Sequence, residues 1–202
     1  MNNLVNYRPA QPTDIPQVIN LIRGVFGRMG GEGWMLKLGD KCLVDIFCSL
    51  LYQEPEGFIV AESNRIVGFI VGVRDAKKTR VILPKLFIKT VLGRYNFELG
   101  LGQLIRRMPE YLGFLFSPRK SYARAELSYL VIDEGFQGQG VGTKLALLFF
   151  EFLKRKGVCA VQVLVNERNI KANKFYNRLG FEFVASLSKK TSLKTGIMVK
   201  QL

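Results

Sequence analysis

At 202 residues, with 48% apolar and 23% charged side chains, the chain has the size and make-up of one globular domain with room for an elaborated insertion. Its net charge of +14 favours polyanionic partners or anionic membrane surfaces without choosing between them. Histidine is absent, which excludes every His-based triad and removes the commonest general base and the commonest metal ligand, so no metal site is expected.

Cys42, Cys48 and Cys159 form no CxxC and no even framework, so a reduced, cytoplasmic setting with buried free thiols is expected. The first residues, MNNLVNYRPAQ, lack a basic stretch followed by an apolar one, so no signal peptide is expected. No window approaches the roughly 18 apolar residues of a spanning helix.

In chain order, Leu4 to Arg8 reads as a first strand closed by Pro9 and Pro12. Thr13 or Asp14 then caps a helix whose Ile15, Val18, Ile19, Ile22 and Phe26 share one face. Gly30, Gly31 and Gly33 break it, and a second helix is expected from about Trp34 to Tyr52, ended by Pro55-Glu56-Gly57. Phe58 to Glu62 and Ile66 to Val73, joined by Ser63-Asn64-Arg65, read as a hairpin, with Gly68 and Gly72 counting against the second strand.

Residues 76–120 differ in kind. Ten Lys and Arg face two acids there, so the segment carries 10 − 2 = +8 of the total +14. Interleaved apolar runs, LPKLFIKTVL and MPEYLGFLF, make it one or two short basic amphipathic helices. Such a segment can cap the core, lie on an anionic membrane, shape a substrate cleft or form a homodimer contact. Nucleic acid is a weaker partner, because no reading motif accompanies the charge.

The stretch Leu127 to Lys144, LSYLVIDEGFQGQGVGTK, runs from an apolar strand through a glycine-rich turn into an amphipathic helix. That arrangement builds a phosphate site, since small residues let the backbone approach and the first-turn N–H groups point at the anion. Leu145, Leu148, Phe149, Phe152 and Leu153 mark the buried stripe of the helix, and Gly157 stops it. Val158 to Val165 is a buried strand, and strand–helix–strand over this length implies a parallel pair. A last helix from Asn169 to Leu179, capped by Gly180, precedes a closing antiparallel pair, Phe181 to Ala185 and Gly196 to Lys200, joined by the loop 186–195.

Two designs for the glycine turn fail on spacing. A Walker A loop needs a Gly-Lys pair, and here Thr143 separates Gly142 from Lys144. The dinucleotide fingerprint would begin at Gly138 and Gly140, but its third glycine falls on Thr143. A third design, Gln-x-x-Gly-x-Gly between strand and helix, is met by Gln137, Gly140 and Gly142. Downstream the chain reads Asn169-x-x-Ala172-x-x-Phe175-Tyr176-x-x-Leu179-Gly180-Phe181. Together these resemble the GNAT superfamily of acyl-CoA-dependent N-acyltransferases. The likeness is specific over about 126–185, consistent in element order over 1–75 and absent over 76–123. Glu134 stands where many members have proline, and Gln137 takes the place of a more usual arginine.

The resemblance implies an α+β fold: a mixed, centrally splayed sheet flanked by helices, one domain over 1–202 with a basic insertion at 76–123. It implies acetyl transfer from acetyl-CoA directly to a primary amine. The coenzyme pyrophosphate would sit on backbone N–H groups of Gln137, Gly138, Gln139, Gly140, Val141, Gly142 and Thr143. The pantetheine arm would pair with Leu130, Val131 and Ile132, where a bulge splays the strand, and the same backbone would polarise the thioester. Asn169 would touch the pantetheine arm or cap the last helix.

Tyr176 takes the position of a tyrosine that protonates the departing thiolate, and also lies on the apolar face of its helix. Glu126 is the acid best placed as general base. Tyr129 would line the acceptor cleft, and Asp133 and Glu134 would cap or be solvated. The basic insertion argues for an acceptor carrying phosphate or carboxylate, such as an amino sugar nucleotide, and against a polyamine. The alternatives are a protein or N-terminal amine as acceptor, or a non-catalytic acyl-CoA-binding module docking through the insertion.

Overall fold

In the computed structural model the chain is described over residues 4–28, 39–77, 121–186 and 195–202. The insertion, the Gly30–Gly33 break and most of the loop 186–195 lie outside the described residues. The sheet grows from the hairpin of β2 (Phe58–Glu62) and β3 (Ile66–Val73), whose bounds coincide with the apolar runs on either side of the polar turn. β1 (Asn6–Pro9) adds antiparallel to β2, and β4 (Ala125–Ile132) antiparallel to β3. β5 (Ala160–Asn166) joins β4 in parallel, as the crossover between them requires. β6 (Glu182–Ser186) and β7 (Thr195–Gln201) pair antiparallel, but β7 takes the inner place, giving the order β1-β2-β3-β4-β5-β7-β6.

Helices cover both faces. α1 (Ile15–Arg28) and α2 (Asp40–Gln53) pack on one with Ile22, Phe47, Phe69, Tyr129 and Val131. α3 (Val141–Arg155) and α4 (Ile170–Arg178) pack on the other with Leu127, Leu145, Phe149, Val163 and Tyr176. Each of the fully buried rings Phe47, Phe69, Phe149 and Phe152 contributes roughly 1.5–3 kcal/mol of burial.

Gly68 and Gly72 do not weaken β3, as their presence in a strand suggested; Gly72 lets α3 lie on it, and Gly68 makes room for a side chain of β4. A Cβ at Gly72 would stand 2.3 Å from the Phe149 ring, and one at Gly68 2.8 Å from Ile132 Cδ1. Close approach of a helix to a strand is a standard use of strand glycine. Two further expectations are corrected. Asp14 sits in a short 3-10 turn before α1 and is held by Arg8 at 2.7 and 2.9 Å and by the Gln11 N–H at 2.8 Å. Of the three thiols only Cys42 is buried; Cys48 is half-buried and Cys159 exposed.

Candidate active site

β4 is held differently along its length. Its antiparallel pairing with β3 runs from Val73↔Glu126 to Gly68↔Ile132, with one irregularity where Gly72 faces Leu127 and Val71 faces Tyr129. Ser128 is therefore the extra, bulged residue. The expectation had placed the bulge at Leu130 to Ile132; it lies earlier because Gly72 lets the chain pucker opposite Ser128. On the other side, pairing with β5 covers only Ala125↔Val161, Glu126↔Gln162 and Leu127↔Val163. From Ser128 to Ile132 the two parallel strands separate, while β5 stays paired with β7 from Ala160 to Asn166. The edge of β4 that carries Leu130, Val131 and Ile132 thus faces a gap, and an extended ligand can add to such an edge.

The gap leads to the glycine turn. Gly138 and Gly140 adopt φ of +77° and +82°, which side chains rarely tolerate, and Gly140 is the residue that enters α3. The first N–H drawn into the helix is that of Lys144, bonded to Gly140 O at 2.9 Å. Those of Val141, Gly142 and Thr143 lie in the first turn, which has no intrahelical acceptors, at the positive end of the helix dipole. A Cβ at Gly138 or Gly140 would meet open space, so the turn offers its backbone without obstruction. The two glutamines serve the loop. Gln137 Nε2 donates to Ile132 O at 3.0 Å, and Gln139 Nε2 to Gly135 O at 2.7 Å. Asp133 is anchored by Arg65 at 2.9 Å and accepts from the Gly135 N–H. Gly142 serves packing instead, because its Cβ position faces Ile132 and the Phe175 ring, each at 3.5 Å, where α4 rests on the turn.

Asn169 caps α4, its Oδ1 accepting from the Ala172 N–H at 3.0 Å. Tyr176, one helical turn beyond Ala172, is 8% exposed and stacked edge-on against Phe175 and Phe181 at centroid distances of 5.3 and 5.4 Å. Burial alone pushes its phenol well above the usual value, so it keeps its proton throughout the neutral range.

Glu126 alternates with Ala125 and Leu127, which both point toward α3, so its side chain points to the α1/α2 face. The two acid–base residues read from the sequence therefore stand on opposite faces of the sheet, on either side of the splay. Sequence reasoning missed two polar groups there. Gln162, 1% exposed, donates through Nε2 to Glu126 Oε2 at 2.9 Å. The Ser128 hydroxyl, at the bulge, is buried with no hydrogen-bond partner. An orphaned buried hydroxyl costs about 1–3 kcal/mol until something satisfies it. A lone glutamine in the apolar run VCAVQVLV was the signal for the first; nothing in LSYL marks the second.

A cavity of about 480 Å³ opens at the opposite, paired end of β4 and β5, lined by Arg74, Asp75, Arg124, Lys156 and Cys159 among others. None of the motif residues reaches it. Its cations are already engaged, Arg74 with Glu54 at 2.8 Å, Arg124 with Asp75 at 3.4 Å and Lys156 with Glu56 at 2.6 Å. Among the described residues no group of three or more His, Cys, Asp or Glu could hold a metal, and no helix is long and apolar enough to cross a membrane.

The model of the acetyltransferase (GNAT) family matches residues 32–181. The chain belongs to that family. GNAT enzymes draw on acetyl-CoA, and the open-edged strand and glycine turn have the shape and donors to receive it. An uncharacterised N-acetyltransferase of Methanocaldococcus jannaschii is 40% identical over 58 residues, which is 29% of this chain and 26% of that relative. The match thus spans about a quarter of the relative's length. Among solved structures, SsHAT superposes with a TM-score of 0.71 at 20% identity, covering 98% of each chain. The PaiA N-acetyltransferase of Thermoplasma acidophilum in complex with coenzyme A has a TM-score of 0.58 at 15% identity, covering 98% of this chain and 99% of that one. At such identities the likeness is one of fold, and it agrees with the mixed seven-stranded, helix-flanked sheet of the described residues.

Proposed function

We propose that this protein is an N-acetyltransferase that moves an acetyl group from acetyl-CoA directly to the primary amine of a small anionic acceptor, an amino sugar nucleotide or a compound of similar charge. The observation that carries the donor half is the junction of an open-edged β4 with a positive-φ glycine turn at the N-terminus of α3. Pyrophosphate rests on N–H groups between Gly138 and Thr143, and the pantetheine arm adds to the edge at Leu130 to Ile132. The thioester then lies in the gap, where a backbone N–H of β4 polarises its carbonyl.

The acceptor enters from the α1/α2 face. Glu126 takes the proton that the ammonium must lose, and the nitrogen attacks the acetyl carbon through the splay. As the tetrahedral intermediate collapses, the nitrogen sheds its second proton to water, Tyr176 on the far side gives its proton to the departing sulfur, and the phenol is reloaded from solvent. Its raised pKa makes it a hydrogen-bond donor always loaded with its proton rather than a strong acid. The anionic character of the acceptor rests on the sequence of 76–120, with ten basic residues against two acids.

A turnover screen with acetyl-CoA across amino sugar phosphates, amino sugar nucleotides, amino acids, peptides with free N-termini and spermidine tests this reading. Preferential turnover of a phosphorylated or carboxylated small amine is expected. Preference for spermidine, or for peptides over every small amine, would overturn the acceptor half and leave the donor half standing.

A further inference from the structure

We propose that Gln162 is a positioning residue for the reaction: it aims the Glu126 carboxylate at the proton it accepts. The inference rests on the reading of Glu126 as the general base and goes one residue beyond it. Gln162 lies at the last stretch where β4 and β5 are still paired, directly opposite Glu126 in the parallel register and on the same face of the sheet. Its neighbours Val161 and Val163 belong to the core beneath α3, so an apolar residue would suit burial at 162 unless a polar partner had to be met there.

The orientation of its amide is dictated from outside. Oε1 accepts from the backbone N–H groups of Tyr122 and Ala123 at 3.0 and 3.2 Å, with Ser121 Oγ 3.4 Å away. Backbone N–H groups can only donate, so the oxygen must face residues 121–123 and the NH2 must face Glu126. The donor thus presented stands 2.9 Å from Glu126 Oε2, which accepts from it. Ser121 is itself tied down, donating to Ala123 O at 2.7 Å, so the segment that orients Gln162 is a closed turn at the start of β4.

A buried amide held by two backbone donors on one side has little freedom on the other. The carboxylate it grips keeps one rotamer at the mouth of the splay. A general base gains its usual factor of about 10² to 10⁴ only when held within hydrogen-bonding reach of the proton it removes. Gln162 touches neither the amine nor the thioester in this arrangement, and its effect passes through Glu126 alone.

The test is a double-mutant cycle on kcat, with the best acceptor of the amine screen and with acetyl-CoA KM and calorimetric binding as controls. Glu126→Gln is the reference. Gln162→Leu removes both ends of the amide, whereas Gln162→Glu keeps an acceptor for the 121–123 turn and replaces the donor toward Glu126 by a second acidic group. Glu126→Gln is expected to lower kcat by about 10² or more, and each Gln162 variant by about 10-fold or more with acetyl-CoA KM within twofold. In the Glu126→Gln background neither Gln162 variant should lower kcat further.

Should Gln162→Leu fail to fold, Gln162→Glu decides alone. Wild-type kcat in Gln162→Glu, or losses that multiply in the double variants, would overturn the proposal while leaving Glu126 as base. Wild-type kcat in Glu126→Gln would overturn the reading of the base and this proposal with it.

Discussion

The two halves of β4 differ in a way that no sequence window displays. Ala125 to Leu127 are gripped by β3 on one side and β5 on the other, whereas Ser128 to Ile132 are held by β3 only. The gripped half carries Glu126, the proposed general base, bonded to the buried Gln162; the free half leaves an unpaired backbone edge, the proposed seat of the pantetheine arm. On the proposed reading, rigidity falls where a proton is taken at a fixed distance, and the unpaired edge where a flexible arm is accommodated. The bulge at Ser128 is the hinge between them, and its unsatisfied hydroxyl marks the point at which the protein alone leaves hydrogen bonding incomplete.

The sharpest way to break this comparison is at the gripped half. Glu126→Gln should lower kcat by about 10² or more while acetyl-CoA binding stays within twofold by calorimetry. Loss of binding with intact turnover at saturation would reverse the roles of the two halves. The next effect belongs to the free half. Gly140→Val forces a β-branched residue to φ +82°, at a cost of about 1–3 kcal/mol. Acetyl-CoA Kd should rise about tenfold or more, with kcat at saturating coenzyme much less affected.

Tyr176→Phe asks whether the proton donor sits across the splay. A fall in kcat of about tenfold is expected. The melting temperature should stay near the wild-type value, since burial is the only cause behind the shift of this phenol and no bonded partner is lost.

Two smaller effects are expected on stability. The Arg8 guanidinium holds the Asp14 carboxyl below its usual range, aided by the Gln11 N–H and opposed by burial. A depressed carboxylate contributes stability that is complete above its unfolded pKa, near 4, and fades as pH falls through its folded value. Arg8→Ala should therefore cost about 1–3 kcal/mol at pH 7 and flatten the wild-type loss of stability below about pH 4, with KM unchanged. Asn169→Ala should cost about 1 kcal/mol of stability through the lost cap. If the same substitution raised acetyl-CoA KM severalfold, Asn169 would also reach the pantetheine arm.

Local chemistry explains how much of this could be read in advance. The β2–β3 hairpin was legible because a polar tripeptide interrupts two β-branched runs, and the glycine turn because positive φ at Gly138 and Gly140 leaves few alternatives to glycine. The parallel pairing of β4 with β5 followed from the helix between them. The inner place of β7 was not legible, since strand order is set by long-range packing that neither strand's pattern encodes. Gly68 and Gly72 were misjudged because their neighbours, Ile132 and Phe149, are remote in sequence. Tyr176 and Glu126 are proposed from the family resemblance, whereas the hydrogen bonds that tie Glu126 to Gln162, and Gln162 to residues 121–123, form only in the folded sheet and were not legible.

Calorimetric titration of acetyl-CoA into the wild-type protein and into Gly140→Val, side by side, tests the central claim most directly. One site with a dissociation constant of about micromolar order in the wild type, weakened about tenfold or more in the variant, is the predicted result. No heat from the wild type at millimolar coenzyme, or equal affinity in the two proteins, would contradict the placement of the coenzyme on this turn.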